Sequence, residues 1–528
     1  MPVSTIDEAV RRAAERRPDA LAVADAPNRD AIFGGPPIRL TWSELDNAVD
    51  NLAASLSGLG AGPEAPVAVQ LPNVVELVLT ILACGRIGAI VVPFPIQHRR
   101  HELEYGLEAS SSALIVTGAR PERPDQLVSI AGVVAHLGRD IQVATFGSET
   151  AVGATVLTVD TSPSTFRGSP HEPDDVVTIC WTSGTTGTPK GVPRTSSMWL
   201  ASGGIQVNAL QLNCDDRILC PFPVVNMAGI GGMLVPWAIV GAALFLHQPL
   251  DLPVFLDQLV SERITYTVAP PALLNMLLAN ESVLDGVDLS HVRKIASGSA
   301  PLDPWMVEGW DRLGVEIVNV FGSNEGAAML STRASVPDPT ERARFFPRPT
   351  AEGVEVRLVD LVGGADIDDP DHPGELRFRG PTVFGGYLDS SGSEFDEAGF
   401  FCTGDIFEWV DSTSEPRLLR FVDRAKDIII RGGMNISAAE LEGLITDHEA
   451  VAECAVIGYR DVTLGERVGI FVTPSGDGEP TLEAILGHLR EVGIASYKLP
   501  ERIEIVDALP RNPVGKVVKT DLRKRWAG

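Results

Sequence analysis

Apolar positions along this chain follow two periods, and the switches between them mark out its elements. Ile6, Ala9, Val10 and Ala13 recur at helical spacing and predict a first helix over Ile6–Arg16. A second helix is expected from Thr41, where Glu44 completes a capping box and Leu45, Val49, Leu52 and Leu56 form the buried stripe. Residues 67–70 then read as a strand, 74–84 as a helix and 90–92 as a strand, with a weaker alternation over 110–160. This β–α–β order predicts parallel sheet with right-handed crossovers. Residues 265–271 read as a strand feeding a helix, and 295–302 as a strand ending in small residues. From 373 the pattern suits twisted antiparallel sheet. Further on, Ser437 with Glu440 is expected to cap a helix burying Leu441 and Leu444, and strands near 452–457, 469–472 and 502–506 complete a small α/β domain.

One segment departs from both periods. Residues 227–246 carry no charge over a length able to span a bilayer. Gly229, Gly231, Gly232, Pro236 and Gly241 interrupt it, so two shorter buried elements broken near Pro236 are expected, and no membrane span.

A chain of 528 residues exceeds what one hydrophobic core supports, so two or more domains are expected. Its net charge of −27 argues against nucleic acid or an anionic membrane as a partner, so a site for an anionic ligand must gather its cations locally. The six cysteines form no CxxC pair, and no His/Cys cluster has zinc spacing. They read as reduced core thiols. The first residues, Met1-Pro2-Val3-Ser4, lack the basic start and apolar core of a signal peptide, and a cytoplasmic location is expected.

The candidate chemistry centres on Val176-Val177-Thr178-Ile179-Cys180-Trp181-Thr182-Ser183-Gly184-Thr185-Thr186-Gly187-Thr188-Pro189-Lys190-Gly191. A buried strand gives way to hydroxyls and glycines and closes on a lysine. Glycines let backbone N–H groups turn toward an anion, hydroxyls add donors, and the lysine supplies a point charge. It is not a Walker A loop, since Pro189-Lys190-Gly191 stands where G-K-[ST] is required. The stretch resembles the phosphate loop of the adenylate-forming superfamily: acyl-CoA synthetases, free-standing adenylation enzymes and luciferases.

Other segments carry the same resemblance in the same order. Phe321-Gly322-Ser323-Asn324-Glu325 resembles the family's Tyr-Gly-x-Thr-Glu motif, with Phe321 for Tyr and Asn324 for Thr. It implies an aromatic face on adenine, an amide near the α-phosphate and a carboxylate for Mg²⁺, with Thr186 as a second metal contact. Gly298-Ser299-Ala300 matches the segment that lies against adenine. Asn226 and Met227 match the turn lining the acid pocket, where the family usually has histidine at the position of Asn226; a plain helix cap is the competing reading for that residue. Ser323, with Gly298 and Ser299, completes the implied acid pocket. Asp405 and Arg424 match two ribose contacts, Lys426 the hinge, Gly432-Gly433 the turn facing a pantetheine arm, and Lys516 the catalytic lysine.

The resemblance implies an α/β fold: a large N-terminal domain of parallel α/β layers with a β-rich subdomain over residues 1–424, and a small mobile α+β C-terminal domain over 425–528. It implies an AMP-forming acid:CoA ligase using ATP, Mg²⁺ and coenzyme A, with Lys516, Lys190 and Glu325 catalytic. The aryl-acid-activating branch looks most similar, and it also contains enzymes that load a separate carrier protein. The departures at Asn226, Asn324 and Pro347 keep open a nucleotide-binding regulator without catalysis. A monomer or homodimer is expected, and the acid is left open.

Overall fold

The computed structural model describes residues 3–147, 153–182, 189–361, 363–370, 372–389, 392–410, 417–424, 427–431, 434–461, 464–476, 480–492, 494, 498–511 and 517–526. Packing divides the chain into two compact units, Met1–Glu355 with Phe378–Phe401, and Val356–Arg377 with Cys402–Gly528. The boundary expected at 424/425 falls inside the second unit.

The first unit is built on two largely parallel sheets. One runs, in spatial order, Thr155–Leu157, Gln142–Phe146, Leu114–Gly118, Pro66–Val69, Ile90–Pro93, Val176–Thr182 and Lys190–Thr195. The other runs Ala328–Ser331, Glu316–Gly322, Lys294–Gly298, Tyr266–Val268, Arg217–Cys220, Ala243–Leu246, Leu21–Ala24 and Arg39–Thr41. Parallel pairing follows from the β–α–β order, as the sequence predicts. Each sheet turns antiparallel at an edge that carries a candidate motif. Val176–Thr182 pairs antiparallel with Lys190–Thr195, and Glu316–Gly322 with Ala328–Ser331. The hairpin connections therefore hold the phosphate-loop stretch and the Asn324-Glu325 turn.

Helices Ile6–Arg16 and Trp42–Gly58 form where periodicity places them. The Glu44 carboxylate accepts from Thr41 N–H at 2.9 Å while Glu44 N–H donates to Thr41 Oγ1 at 3.3 Å, a cap stabilising the helix by about 1 kcal/mol. Leu45, Val49, Leu52 and Leu56 are buried, each favoured by roughly 1.5–3 kcal/mol. Arg86, fully buried on helix Val75–Arg86, pairs with Asp7, Asp46 and Asp50 at 2.6–2.8 Å and ties three helices together. Three carboxylates around one guanidinium make its desolvation tolerable.

Residues 227–246 correct the sequence expectation in one respect. A wide π-helical segment, Met227–Leu234, runs directly into helix Val235–Val240. Pro236 sits in that helix's first turn, where a missing N–H breaks nothing. The break falls instead at Gly241, left-handed at φ 72°, before strand Ala243–Leu246. Among the described residues no helix is long and apolar enough to cross a membrane.

The second unit contains antiparallel sheet built on Leu418–Arg424 and most of Phe401–Trp409 and Gly374–Arg379, and a smaller sheet of Val451–Asp461, Gly465–Pro474 and Arg502–Ile505 covered by helix Ala438–Thr446. Ser437 Oγ accepts from Glu440 N–H at 3.1 Å, the expected cap. The Glu440 carboxylate pairs with Lys498. Leu441 is fully buried and Leu444 only partly. The architecture is α/β: a large N-terminal part of parallel sheets and a smaller C-terminal part.

Candidate active site

Strand Val176–Thr182 is anchored by burial of Val177, Ile179 and Cys180, and by Trp199 Nε1 donating to Thr178 Oγ1 at 2.9 Å. It delivers Thr182 to the sheet edge, opposite Lys190. Ser183, Gly184, Thr185, Thr186 and Gly187 lie outside the described residues. Lys190 is exposed and makes no ion pair among the described residues. Its Nζ lies 4.4 Å from the centroid of the Tyr387 ring.

The turn after strand Glu316–Gly322 is closed by Ser323 N–H donating to Ala327 O at 2.9 Å and Gly326 N–H to Ser323 O at 3.1 Å. Gly326 is needed there. Its φ is +99°, and a Cβ would lie 1.8 Å from Thr382 O. The turn presents Glu325, 8% exposed, with Tyr387 Oη donating to its Oε1 at 2.9 Å. Its Oε2 accepts from no described residue.

Arg194 supports the same turn from below. It is fully buried, with its guanidinium 4.3 Å from the Trp199 ring centroid. Its Nη1 donates to Asn324 O at 2.9 Å, and its Nη2 to Thr382 O at 2.8 Å and Ser202 Oγ at 3.0 Å. Burial pushes its pKa down to about 10, partly offset by Cys180 and by the Glu325 carboxylate, so it stays cationic at neutral pH. A charge bonded mainly to carbonyls is a fixed positive field beneath Glu325.

Gly298-Ser299-Ala300 and Phe321-Gly322 meet at the carboxyl edge of one sheet, because Gly298 pairs in register with Val320. A Cβ on Gly298 would lie 2.0 Å from Val320 O. Ser299 adopts φ +68°, a left-handed conformation costing a non-glycine residue about 1 kcal/mol. The carboxyl edge of parallel strands is where open α/β sheets bind ligands. At Gly322 a Cβ would meet nothing nearer than 3.8 Å, so a flat group has room to approach the backbone.

Asn226 is a helix cap: its Oδ1 accepts from Ala228 and Gly229 N–H at 3.1 and 3.2 Å. Asn324 is turned inward. Its Oδ1 accepts from Met227 N–H at 2.7 Å, and its Nδ2 donates to Trp181 O at 3.4 Å. Its amide thus joins strand Val176–Thr182 to the start of the π-helical segment.

In the second unit, Asp405 and Arg424 face each other across neighbouring antiparallel strands. Lys426, Gly432, Gly433 and Lys516 lie outside the described residues. Two contributors went unassigned from sequence. Neither Arg194 nor Tyr387 carries a periodic or motif signal for its role. A lone arginine after Pro193 and a tyrosine after Gly386 gain meaning only when the fold brings them to Glu325.

A nucleotide with a divalent cation suits this donor set. Among the described residues, Oε2 of Glu325 is uncommitted, Lys190 makes no ion pair, and the buried Ser323 Oγ has no hydrogen-bond partner. The model for AMP-binding enzymes matches residues 10–388, and that for the AMP-binding enzyme C-terminal domain matches 440–516. The chain belongs to the AMP-binding enzyme family. As a member it is an adenylate-forming, AMP-forming ligase in class. This AMP-binding enzyme is 31% identical to indoleacetate–CoA ligase of Aromatoleum aromaticum, over 93% of this chain and 94% of that protein. It is 30% identical to salicyl-AMP ligase / salicyl-S-ArCP synthetase of Mycobacterium tuberculosis, over 98% of this chain and 89% of that one. ATP-bound MatB from Rhodopseudomonas palustris matches it with a TM-score of 0.81 at 25% identity, covering 99% of each chain.

Proposed function

We propose that this enzyme is an ATP-dependent carboxylic acid:CoA ligase. A carboxylate oxygen of the acid attacks the α-phosphorus of ATP and the bond to pyrophosphate breaks, leaving an acyl-adenylate. The thiol sulfur of coenzyme A then attacks the acyl carbonyl, its proton leaves to solvent, and the carbon–oxygen bond to AMP breaks. The observation that carries this reading is the convergence of Lys190 and Glu325 on one tyrosine, at 4.4 and 2.9 Å. The first step joins two anions, so the site must supply positive charge and alignment more than acid–base groups.

In this reading Lys190 and the amides and hydroxyls of Thr182, Ser183, Gly184, Thr185, Thr186 and Gly187 hold the phosphates. Glu325, with Thr186, holds Mg²⁺, which when bound neutralises phosphate charge. Phe321, Gly322 and Gly298-Ser299-Ala300 take adenine, Asp405 and Arg424 the ribose, and Lys516 bridges the attacking carboxylate and the α-phosphate. Asn324 acts through its bonds to Trp181 and Met227. The acid lies against Asn226, Met227, Gly298, Ser299 and Ser323, which suits an aryl, alicyclic or medium-chain acid. The catalytic division falls at 424/425 with the hinge at Lys426, so that residues 425–528 withdraw Lys516 and bring Gly432-Gly433 to the pantetheine arm. A cytoplasmic location and a monomeric or homodimeric state belong to the same proposal.

A carrier protein as acceptor is a second reading, favoured by the salicyl-S-ArCP synthetase relative over 98% of the chain. Mass spectrometry of the enzyme with MgATP and a panel of carboxylic acids, with and without CoA, separates the two. Acyl-CoA with AMP establishes the ligase, and an adenylate persisting in CoA points to a carrier protein. ATP binding without acid-dependent pyrophosphate release across the panel would sink both and favour a regulator.

A further inference from the structure

The segment from Thr382 to Leu388 is not part of either motif, yet it is bonded to both. Leu388 N–H donates to Gly191 O at 2.9 Å, next to Lys190. Phe384 N–H donates to Glu325 O at 2.9 Å. Thr382 O accepts from Arg194 and closes over Gly326. Phe384 is 2% exposed and packs edge-on against Tyr387, with ring centroids 4.9 Å apart, and against Phe401 at 5.2 Å. Tyr387 N–H is held by Glu394 Oε1 at 3.1 Å. The tyrosine is therefore fixed from its backbone outward, and two edge hairpins of two different sheets are stitched across one short strap.

We propose that Tyr387 is a positioning residue that couples the phosphate-loop lysine to the metal-holding carboxylate. Its ring face carries the Lys190 ammonium without neutralising it, as a carboxylate would. Its hydroxyl occupies Glu325 Oε1 and turns Oε2 outward as the ligand for a divalent ion. One rigid side chain thus sets the separation between a cation and a metal ligand that must grip the same polyphosphate. This inference rests on the nucleotide-binding part of the function proposed above.

The test uses the full chain, with Mn²⁺ as the spectroscopic probe. Tyr387→Phe keeps the ring over Lys190 and removes the hydroxyl, whereas Tyr387→Leu removes both. Electron paramagnetic resonance reads Mn²⁺ held in the presence of ATP, and calorimetry reads ATP binding without metal. Tyr387→Phe is expected to weaken Mn²⁺ retention about tenfold, the usual worth of a hydrogen bond to a charged group, and to leave metal-free ATP binding unchanged. Tyr387→Leu should in addition weaken metal-free ATP binding by about threefold, the worth of a surface cation–π contact. In Glu325→Gln, adding Tyr387→Phe should cost little more, because the hydroxyl acts through that carboxylate.

Equal Mn²⁺ retention in wild type and Tyr387→Phe overturns the proposal. So does a Tyr387→Phe enzyme whose melting temperature, metal binding and metal-free ATP binding fall together, since that marks a merely structural residue. A wild type that holds no Mn²⁺ with ATP overturns the proposal and the nucleotide reading together. Tyrosine-dependent Mn²⁺ and ATP binding without acid-dependent pyrophosphate release upholds the coupling and overturns only the ligase.

Discussion

Asp405 and Arg424 are direct cross-strand partners, with Arg424 Nε donating to Asp405 Oδ1 at 2.8 Å. Nineteen residues apart in sequence, they form one ion pair in which Asp405 is buried and the Arg424 side chain is 42% exposed. Asp405 N–H donates to Thr403 Oγ1 at 3.1 Å, so the carboxylate is held from both ends of its residue. A ribose binding here would meet a preset pair rather than two independent groups. Asp405→Asn is expected to raise the KM for ATP by about tenfold in acid-dependent pyrophosphate exchange. Arg424→Ala should do less, and the double variant should be clearly less impaired than the product of the singles. Full multiplicativity would mean that the pair does not act as a unit.

Lys516 is expected to serve the first half-reaction only. Lys516→Ala should slow acid-dependent pyrophosphate release by about 10²–10³-fold, the effect of losing one preorganised charge at the transition state. Thioester formation from supplied acyl-adenylate and CoA should change little. Rapid-quench assays of the two halves read this directly, and equal losses in both would make the lysine structural.

Gly326→Ala should lose both stability and activity. The new methyl would stand 1.8 Å from the Thr382 carbonyl at φ +99°, so the strap or the turn must shift. A destabilisation of about 2–3 kcal/mol is expected from the backbone strain. Denaturant unfolding gives that figure, and Mn²⁺ retention in the same variant should fall with it, because Glu325 moves with the turn.

His247, buried against helix Leu252–Ser261, gives the protein an acid sensitivity. Its Nε2 accepts from Asp251 N–H at 3.0 Å and its Nδ1 lies 2.7 Å from Gln258 Oε1, an arrangement satisfied by the neutral ring. Burial holds its pKa below the usual histidine value, against smaller opposing effects of Gln258 and Asp251. The folded state therefore binds its proton later than the unfolded state as pH falls. Stability from this group is complete above about pH 6.5 and is lost as pH drops toward the folded pKa, by at most about 1.4 kcal/mol per pH unit. Unfolding free energies between pH 5 and 7 should show a shallower slope for His247→Gln than for wild type, and parallel slopes would remove His247 from the account.

The sequence carried the helices and parallel sheets because their signals are local. The capping box at Thr41 and Glu44 and the stripe of Leu45, Val49, Leu52 and Leu56 each lie within one element. It also offers the motif segments as candidates, since Lys190 and Glu325 stand in recognisable strings. It misplaced the break in 227–246, where Pro236 reads as a helix breaker but enters at a first turn. It offered Asn226 as pocket residue or cap, and the geometry is that of a cap. Partnerships across chain distance stayed hidden. Nothing in Gly386-Tyr387-Leu388 announces a bond to Glu325, 62 residues earlier, or a ring beneath Lys190. Such links depend on which sheet edges the topology brings together.

The amide of Asn324 has a consequence for how this enzyme can change its diet. One side chain holds the Met227 backbone, where the segment proposed to face the acid begins, and the Trp181 carbonyl, on the strand that leads to the proposed phosphate loop. Reshaping the recess by displacing residues 227–231 would tug on the turn that bears Glu325. Gains in a new acid would then be offset by slower turnover with every acid. Side-chain trimming that spares the Met227 amide escapes this coupling, and it is the route along which descendants of this sequence can explore new acids at undiminished speed.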